Sequence, residues 1–184
     1  RDSSTSRGLG DVYKRQVDIL HDGFDCVIRT GALPEDGVIA RSLGKLAMVN
    51  CASPHYLTRF GYPQSPDDLT SHAIVRYTPH LGVHPLGFEV ASVNGVQWFK
   101  SGGMLTVNSS ENYLAAGIAG LGIIQIPRIA VREALRAGRL IEVLPGYRAE
   151  PLSLSLVYPQ RRELSRRVNL FMQWLAGVMK EHLD

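Results

Sequence analysis

The chain has 184 residues, 45% of them hydrophobic, 20 Lys and Arg, 17 Asp and Glu, and a net charge of +3. That length suits one ordinary domain or two small lobes. The composition is globular, and no apolar run approaches the roughly 18 residues of a membrane-spanning helix.

The first sixteen residues, RDSSTSRGLGDVYKRQ, are polar and patternless, and their four basic and two acidic side chains carry +2 of the +3. The remainder is nearly neutral, so the basic pI does not mark a nucleic-acid surface. Residues 11–16, DVYKRQ, match the translation of a transposon end used in preparing sequencing libraries. Residues 1–16 are therefore expected to be a disordered tail, a fusion scar set aside from the fold.

From Val17 the text reads as the inside of a domain. VDILHDG, 17–23, predicts the end of a helix stopped by Gly23, and FDCVIR, 24–29, a buried strand. Two strand-like runs follow in VIARSLGKLAMVNCAS, 38–53. SPHYLTRFG predicts a short helix with Ser53 as cap, Pro54 in its first turn and Gly61 as stop. SPDDLTSH is a second short helical turn, where Asp67 and Asp68 suit the positive end of a helix better than a catalytic pair. AIVRY is a strand. GFEVASVNGVQWF predicts a hairpin turning at Asn94-Gly95.

The stretch from Met104 to Pro145 spells β-α-β-α-β. A strand leads to Asn108, predicted as a helix cap, with Glu111 three residues on in a capping-box arrangement. The helix ends at glycines 120 and 122. The apolar GIIQI follows, Pro127 opens another helix, and LIEVLP is a strand. LSLSLVYP is a further strand, and a last helix carries one apolar stripe of Leu164, Val168, Phe171, Leu175, Val178 and Met179. The grammar is α/β, a sheet covered by helices.

No metal or catalytic constellation assembles. His80 and His84 are four apart, but Pro79, Gly82 and Pro85 oppose a helix there. Cys26 and Cys51 lie in apolar runs at no metal spacing and read as buried free thiols. GIAGLG has its glycines in the wrong order, and at the wrong end of a helix, for a dinucleotide fingerprint. QRRELSRR is a solvated charged face. What stands out is three strand ends with small hydroxyls or free N–H groups: Arg29-Thr30-Gly31, Ser53-Pro54 and Asn108-Ser109-Ser110. Each also reads as an ordinary cap or turn. Together they suit a small anion in an open α/β cleft.

Five segments in order, GFDCVIRTGALPEDGVIARSLG, CASPHYLTRFGYPQSPDDLTSHAIVRY, TVNSSENYLAAGIAGLGIIQIP, AGRLIEVLP and LVYPQRRELSRRVNLFMQWL, resemble the effector-binding domain of LysR-type transcriptional regulators. The resemblance implies a two-lobed fold like a type 2 periplasmic binding protein, with the family's first strand–helix–strand and its winged helix-turn-helix missing from this chain. It places lobe I at 17–52 and 150–184, and lobe II at 53–149. It implies a small-molecule effector, a carboxylate or aromatic acid, held between the lobes at Arg29, Thr30, Gly31, Ser53, Asn108, Ser109 and Ser110. Gln125 joins them although most relatives carry an apolar residue there. With no nucleophile, base and orienter assembled and no metal spacing, no enzyme activity, cofactor, metal or membrane contact is expected. The parent would be a cytoplasmic homodimer or tetramer that meets DNA only through the absent N-terminal domain. The alternative is a solute-binding protein of a transport system with the same architecture.

Overall fold

The computed structural model describes residues 23–31, 37–78, 87–160, 164–180 and 183. The tail at 1–16, the helix end at 17–22 and the His80–His84 pair lie outside the described residues.

Three strands form the first group. β1 (Val27–Thr30) and β2 (Val38–Leu46) flank β10 (Leu152–Pro159), each antiparallel to it. Leu156 and Val157 of the central strand are fully buried. β2 carries a bulge: Leu154 faces Gly44 and Ser155 faces Ser42, so Leu43 has no opposite number. Gly44, at φ 143°, occupies the distorted point. α4 (Arg166–Lys180) packs beside this sheet. Its predicted stripe is wider than one face. Met172 is buried, while Leu170, Phe171, Trp174 and Val178 lie 40–61% exposed.

The second group sets a three-stranded sheet beside a two-stranded one, linked by a single bridge. β3 (Met48–Ala52) pairs antiparallel with β8 (Ile124–Pro127) and with the two-residue β9 (Ile141–Glu142). The parallel bridge Ile74↔Ile123 joins β8 to β4 (Ala73–Tyr77), which runs parallel to β7 (Gly102–Val107). The order is β9-β3-β8-β4-β7, with β3 alone reversed. The sequence boundary at Ser53 assigned β3 to the first lobe. Both its partners come from 53–149, so the crossing lies at Ala47.

Each face of this group has its own core, set by period-two alternation. Val49, Cys51, Val75, Ile124 and Ile126 pack under α2 (Ser110–Ile118) and α3 (Arg128–Arg136). Ala52, Ile74 and Ile123 pack under α1 (Pro54–Phe60), a 3-10 turn (Pro66–Ser71) and the hairpin of β5 (Phe88–Ser92) and β6 (Gly95–Phe99). α1 has the predicted cap: Ser53 Oγ accepts the Tyr56 N–H at 3.2 Å, and Gly61 closes the helix. In the 3-10 turn the Asp68 carboxylate accepts the N–H groups of Gln64 and Ser65, which hold its pKa below the ordinary value. The hairpin closes one residue earlier than read, since Ser92 pairs with Gly95 and the loop is Val93-Asn94. α3 begins one residue after Pro127, which serves as its cap.

Candidate functional site: the edge between two strand groups

The two groups meet where the chain crosses between them, at Ala47 and again near Pro151. On the first group, Leu46 lies opposite Leu152, and the Gly31 N–H donates to Ser153 O at 3.0 Å. Thr30 and Gly31 therefore end β1 at the crossing edge. Gly31 adopts φ 78°, a left-handed turn that favours glycine. Arg29, half-buried, lies one residue inside that edge, opposite Ser155.

On the second group, Met48 lies opposite Pro127, so the C-terminal end of β8 faces the crossing. β4 and β7 run the same way, and the N-terminus of α2 follows β7 to the same edge. The cap is Ser109 rather than Asn108. Its Oγ accepts the Asn112 N–H at 3.4 Å and donates to the Glu111 carboxylate at 2.6 Å. That hydrogen bond holds the Glu111 pKa below its ordinary value. The first N–H groups of α2 have no partner within the helix and carry its positive dipole end. Any anion there shares that field with Glu111.

α2 is set by a buried tyrosine. Tyr113 Oη accepts the Gln125 N–H at 2.9 Å, and burial pushes its pKa up to about 12, so it stays a neutral hydroxyl. Its ring lies 5.7 Å from that of Tyr77, which ends β4 and is 44% exposed. Tyr77 is thus an aromatic wall at the crossing edge. Its sequence signal, the last apolar residue of AIVRY, was shared by every strand end.

Two predicted residues stand elsewhere. Because β3 runs against its neighbours, its C-terminal Ser53 lies at the far edge of the sheet. Gly120, just past α2, abuts it: a Cβ there would sit 3.0 Å from Ser53 Oγ and 3.3 Å from the His55 ring. Ser53 and Asn108 are thus separated by the length of α2, about 13 Å. The two helix N-termini do not converge, and Ser53 serves as a buried cap. Gln125 lies inside. Its Nε2 donates to Asn50 Oδ1 at 2.9 Å and to Glu89 O at 2.8 Å, and its Oε1 accepts the Glu89 N–H at 2.9 Å. Both amide hydrogens are used, which leaves no donor for a ligand.

Asn50 continues this chain, donating from Nδ2 to Leu144 O at 3.2 Å and Tyr147 O at 2.8 Å. Leu144, buried, has φ 48°. A left-handed leucine costs on the order of 1 kcal/mol or more and persists where its surroundings over-determine it. Glu142 accepts from Arg128 and Arg148, each at 2.6 Å. Among the described residues no group of three metal-ligating side chains occurs, Cys26 and Cys51 are free thiols, and no helix is long and apolar enough to cross a membrane.

A group of strands with one strand reversed, joined by two crossings to a three-stranded antiparallel sheet, fits the two-lobed binding-protein fold. Comparisons with known proteins agree. Residues 11–180 match the family described as the LysR substrate binding domain. That match begins inside the segment expected to be tail. The chain is 95% identical over 172 residues to the HTH-type transcriptional regulator YhjC of Escherichia coli strain K12, covering 94% of this chain and 58% of that protein. It is 33% identical over 154 residues to an HTH-type transcriptional regulator of Haemophilus influenzae, covering 84% and 53%. The regulatory domain of CrgA, a LysR-type regulator from Neisseria meningitidis, superposes with a TM-score of 0.76 at 24% identity, over 88% of this chain and 78% of that one. The chain spans a little over half the length of these two curated relatives. It belongs to the LysR substrate-binding domain family, the effector-binding domain of LysR-type transcriptional regulators.

Proposed function

We propose that this chain senses a small carboxylate or aromatic acid held between its lobes, and that the effector re-angles the lobes to change how DNA-binding domains are presented. The proposed pocket comprises Arg29, Thr30 and Gly31 on one lobe and Asn108, Ser109, Ser110 and Tyr77 on the other. One observation supports it above the rest: the left-handed turn after β1 and the N-terminus of α2 both end at the edge flanking the two crossings. The effector would shift a population of lobe angles. In the whole protein, DNA contact would fall to a helix-turn-helix outside this chain, in a cytoplasmic homodimer or tetramer.

Amide shift perturbation on titration with succinate and benzoate tests this reading. The expected shifts fall on Thr30, Gly31, Tyr77, Ser109 and Ser110, and Asn108→Leu removes those of the second lobe. Glu111→Gln relieves competition for the helix dipole and tightens acid binding, by at most about five-fold. Shifts confined to Arg166 and Arg167 would mean surface electrostatics and refute the pocket.

A further inference from the structure

We infer that the amide pair of buried Asn50 and half-buried Gln125 locks the second crossing segment, residues 144–150, onto the second lobe, so that the lobes re-angle about Ala47 and Pro151 alone. This deepens the sensing reading and rests on its two lobes.

Every tie of this segment found among the described residues runs within itself or toward the second lobe. Asn50 Nδ2 donates to the carbonyls of Leu144 and Tyr147. The Ala91 N–H of the hairpin donates to Arg148 O at 2.8 Å. The Glu89 carboxylate accepts the Glu150 N–H at 3.0 Å. The Arg148 guanidinium binds Glu142 Oε1. The hub is Gln125, which grips Glu89 through both main-chain groups and Asn50 through its side chain.

The positions make this a built network. Asn50 is fully buried, and a buried amide with unused donors is costly, so its three contacts are obligatory as a set. Asn50 also holds the turn at Leu144, whose carbonyl accepts the Tyr147 N–H as well. Left to itself, a leucine would leave that left-handed conformation. The amide pair keeps it there, and the segment leaves the second lobe in one direction. Its ties stop at Glu150. Pro151 has no N–H to bind either lobe, and Leu152 already pairs with Leu46 of the first lobe. On the other crossing Ala47 is the single residue between β2 and β3, and since its carbonyl accepts the Arg128 N–H of the second lobe at 2.8 Å, the pivot falls on its bond to Leu46. Two short pivots flank a segment that moves as part of the second lobe.

Hydrogen exchange of the full chain tests the lock, alongside interlobe distances between spin labels at Arg41 and Glu133 in a Cys26→Ser background. Gln125→Leu is expected to speed exchange at Tyr147 and Glu150 at least ten-fold and to broaden the ligand-free distance distribution, with α2 and β8 exchange changed less than two-fold. Glu89→Ala, at a half-buried site outside the apolar core, is expected to speed Glu150 alone and keeps the test decisive if Gln125→Leu does not fold. Unchanged exchange across 144–150, or an equal rise through α2 and β8, overturns the inference. Failure of succinate and benzoate to alter the wild-type distances would count against the sensing reading, while the ligand-free comparison still decides the lock.

Discussion

Gly117 sits where α2 presses on β8. A Cβ placed there would lie 2.6 Å from Ile124 Cδ1, 3.1 Å from Cγ1 and 3.2 Å from Cγ2, and Ile124 is fully buried. Gly117→Ala sets two effects against each other. Alanine in a helix interior gains about 1 kcal/mol over glycine. Overpacking a core costs about 1–3 kcal/mol, because the isoleucine must leave its rotamer or the helix must lift. The packing term wins, for a net loss of about 1 kcal/mol, or about 2–4 °C in Tm at this chain length. Urea unfolding at unchanged slope measures it. Ile124→Val removes the atom in closest conflict and by itself costs about 0.5–1.5 kcal/mol. In the alanine background it should cost almost nothing, a coupling of about 0.5–1.5 kcal/mol. A Gly117→Ala protein more stable by the full propensity gain, or strict additivity of the two changes, would refute this packing.

Three further outcomes are expected. His72 is buried with Nδ1 3.1 Å from Tyr56 Oη, and burial depresses its pKa below the ordinary 6.5 despite the opposing pull of Asp68. Its contribution to stability is thus complete well above pH 6.5 and falls away as pH drops below it, as the unfolded chain takes up the proton first; urea midpoints should decline with that drop, and His72→Gln should flatten the decline. Ser53→Ala should cost about 1 kcal/mol through the lost cap yet leave the succinate and benzoate shifts at Ser109 and Thr30 intact, whereas loss of those shifts would restore Ser53 to the pocket. Trp174, 61% exposed on the flank of α4 and 5.8 Å from the Phe171 ring, should drive self-association, so Trp174→Lys should lower light scattering while moving stability by less than about 0.5 kcal/mol.

What could be read from the chain was local. Ser53, Pro54 and Gly61 spelled out α1 because cap, first turn and stop are chemical signals carried by the helix and its two flanking residues. The β-α-β-α-β run held for the same reason. The cap of α2 slipped by one because Asn108, Ser109 and Ser110 are all good caps, and the Asn112 N–H, which only the folded backbone brings to Ser109 Oγ, distinguishes them. Ser53 was placed beside Asn108 because an apolar run such as MVNCA has no visible direction. The reversal of β3 is decided by pairing with β8, some seventy residues away. Gln125 looked unusual in sequence, but its role depends on Asn50 and Glu89, which share its site only after folding. The exposed flank of α4 was hidden by the search for a single stripe: Phe171 and Val178 fit the period, while Leu170 and Trp174 widened it.

The bulge at Gly44 has a consequence for how this chain can change length. In a strand, facing is a matter of parity, and one unmatched residue exchanges odd for even. Leu43 is that residue, and it fixes the parity with which the chain enters the second lobe. Val49 and Cys51 turn to the helices, while Asn50 and Ala52 turn to the hairpin. Deleting one residue here would let the ladder close over the bulge, with the next residue opposite Leu154 and the facing of β3 unchanged. A second deletion would find no spare residue and would exchange those sets, turning the Asn50 amide toward α2 and α3. The unmatched Leu43 is thus one residue of slack in the crossing, and length variants in this stretch should tolerate the loss of one residue but not of two.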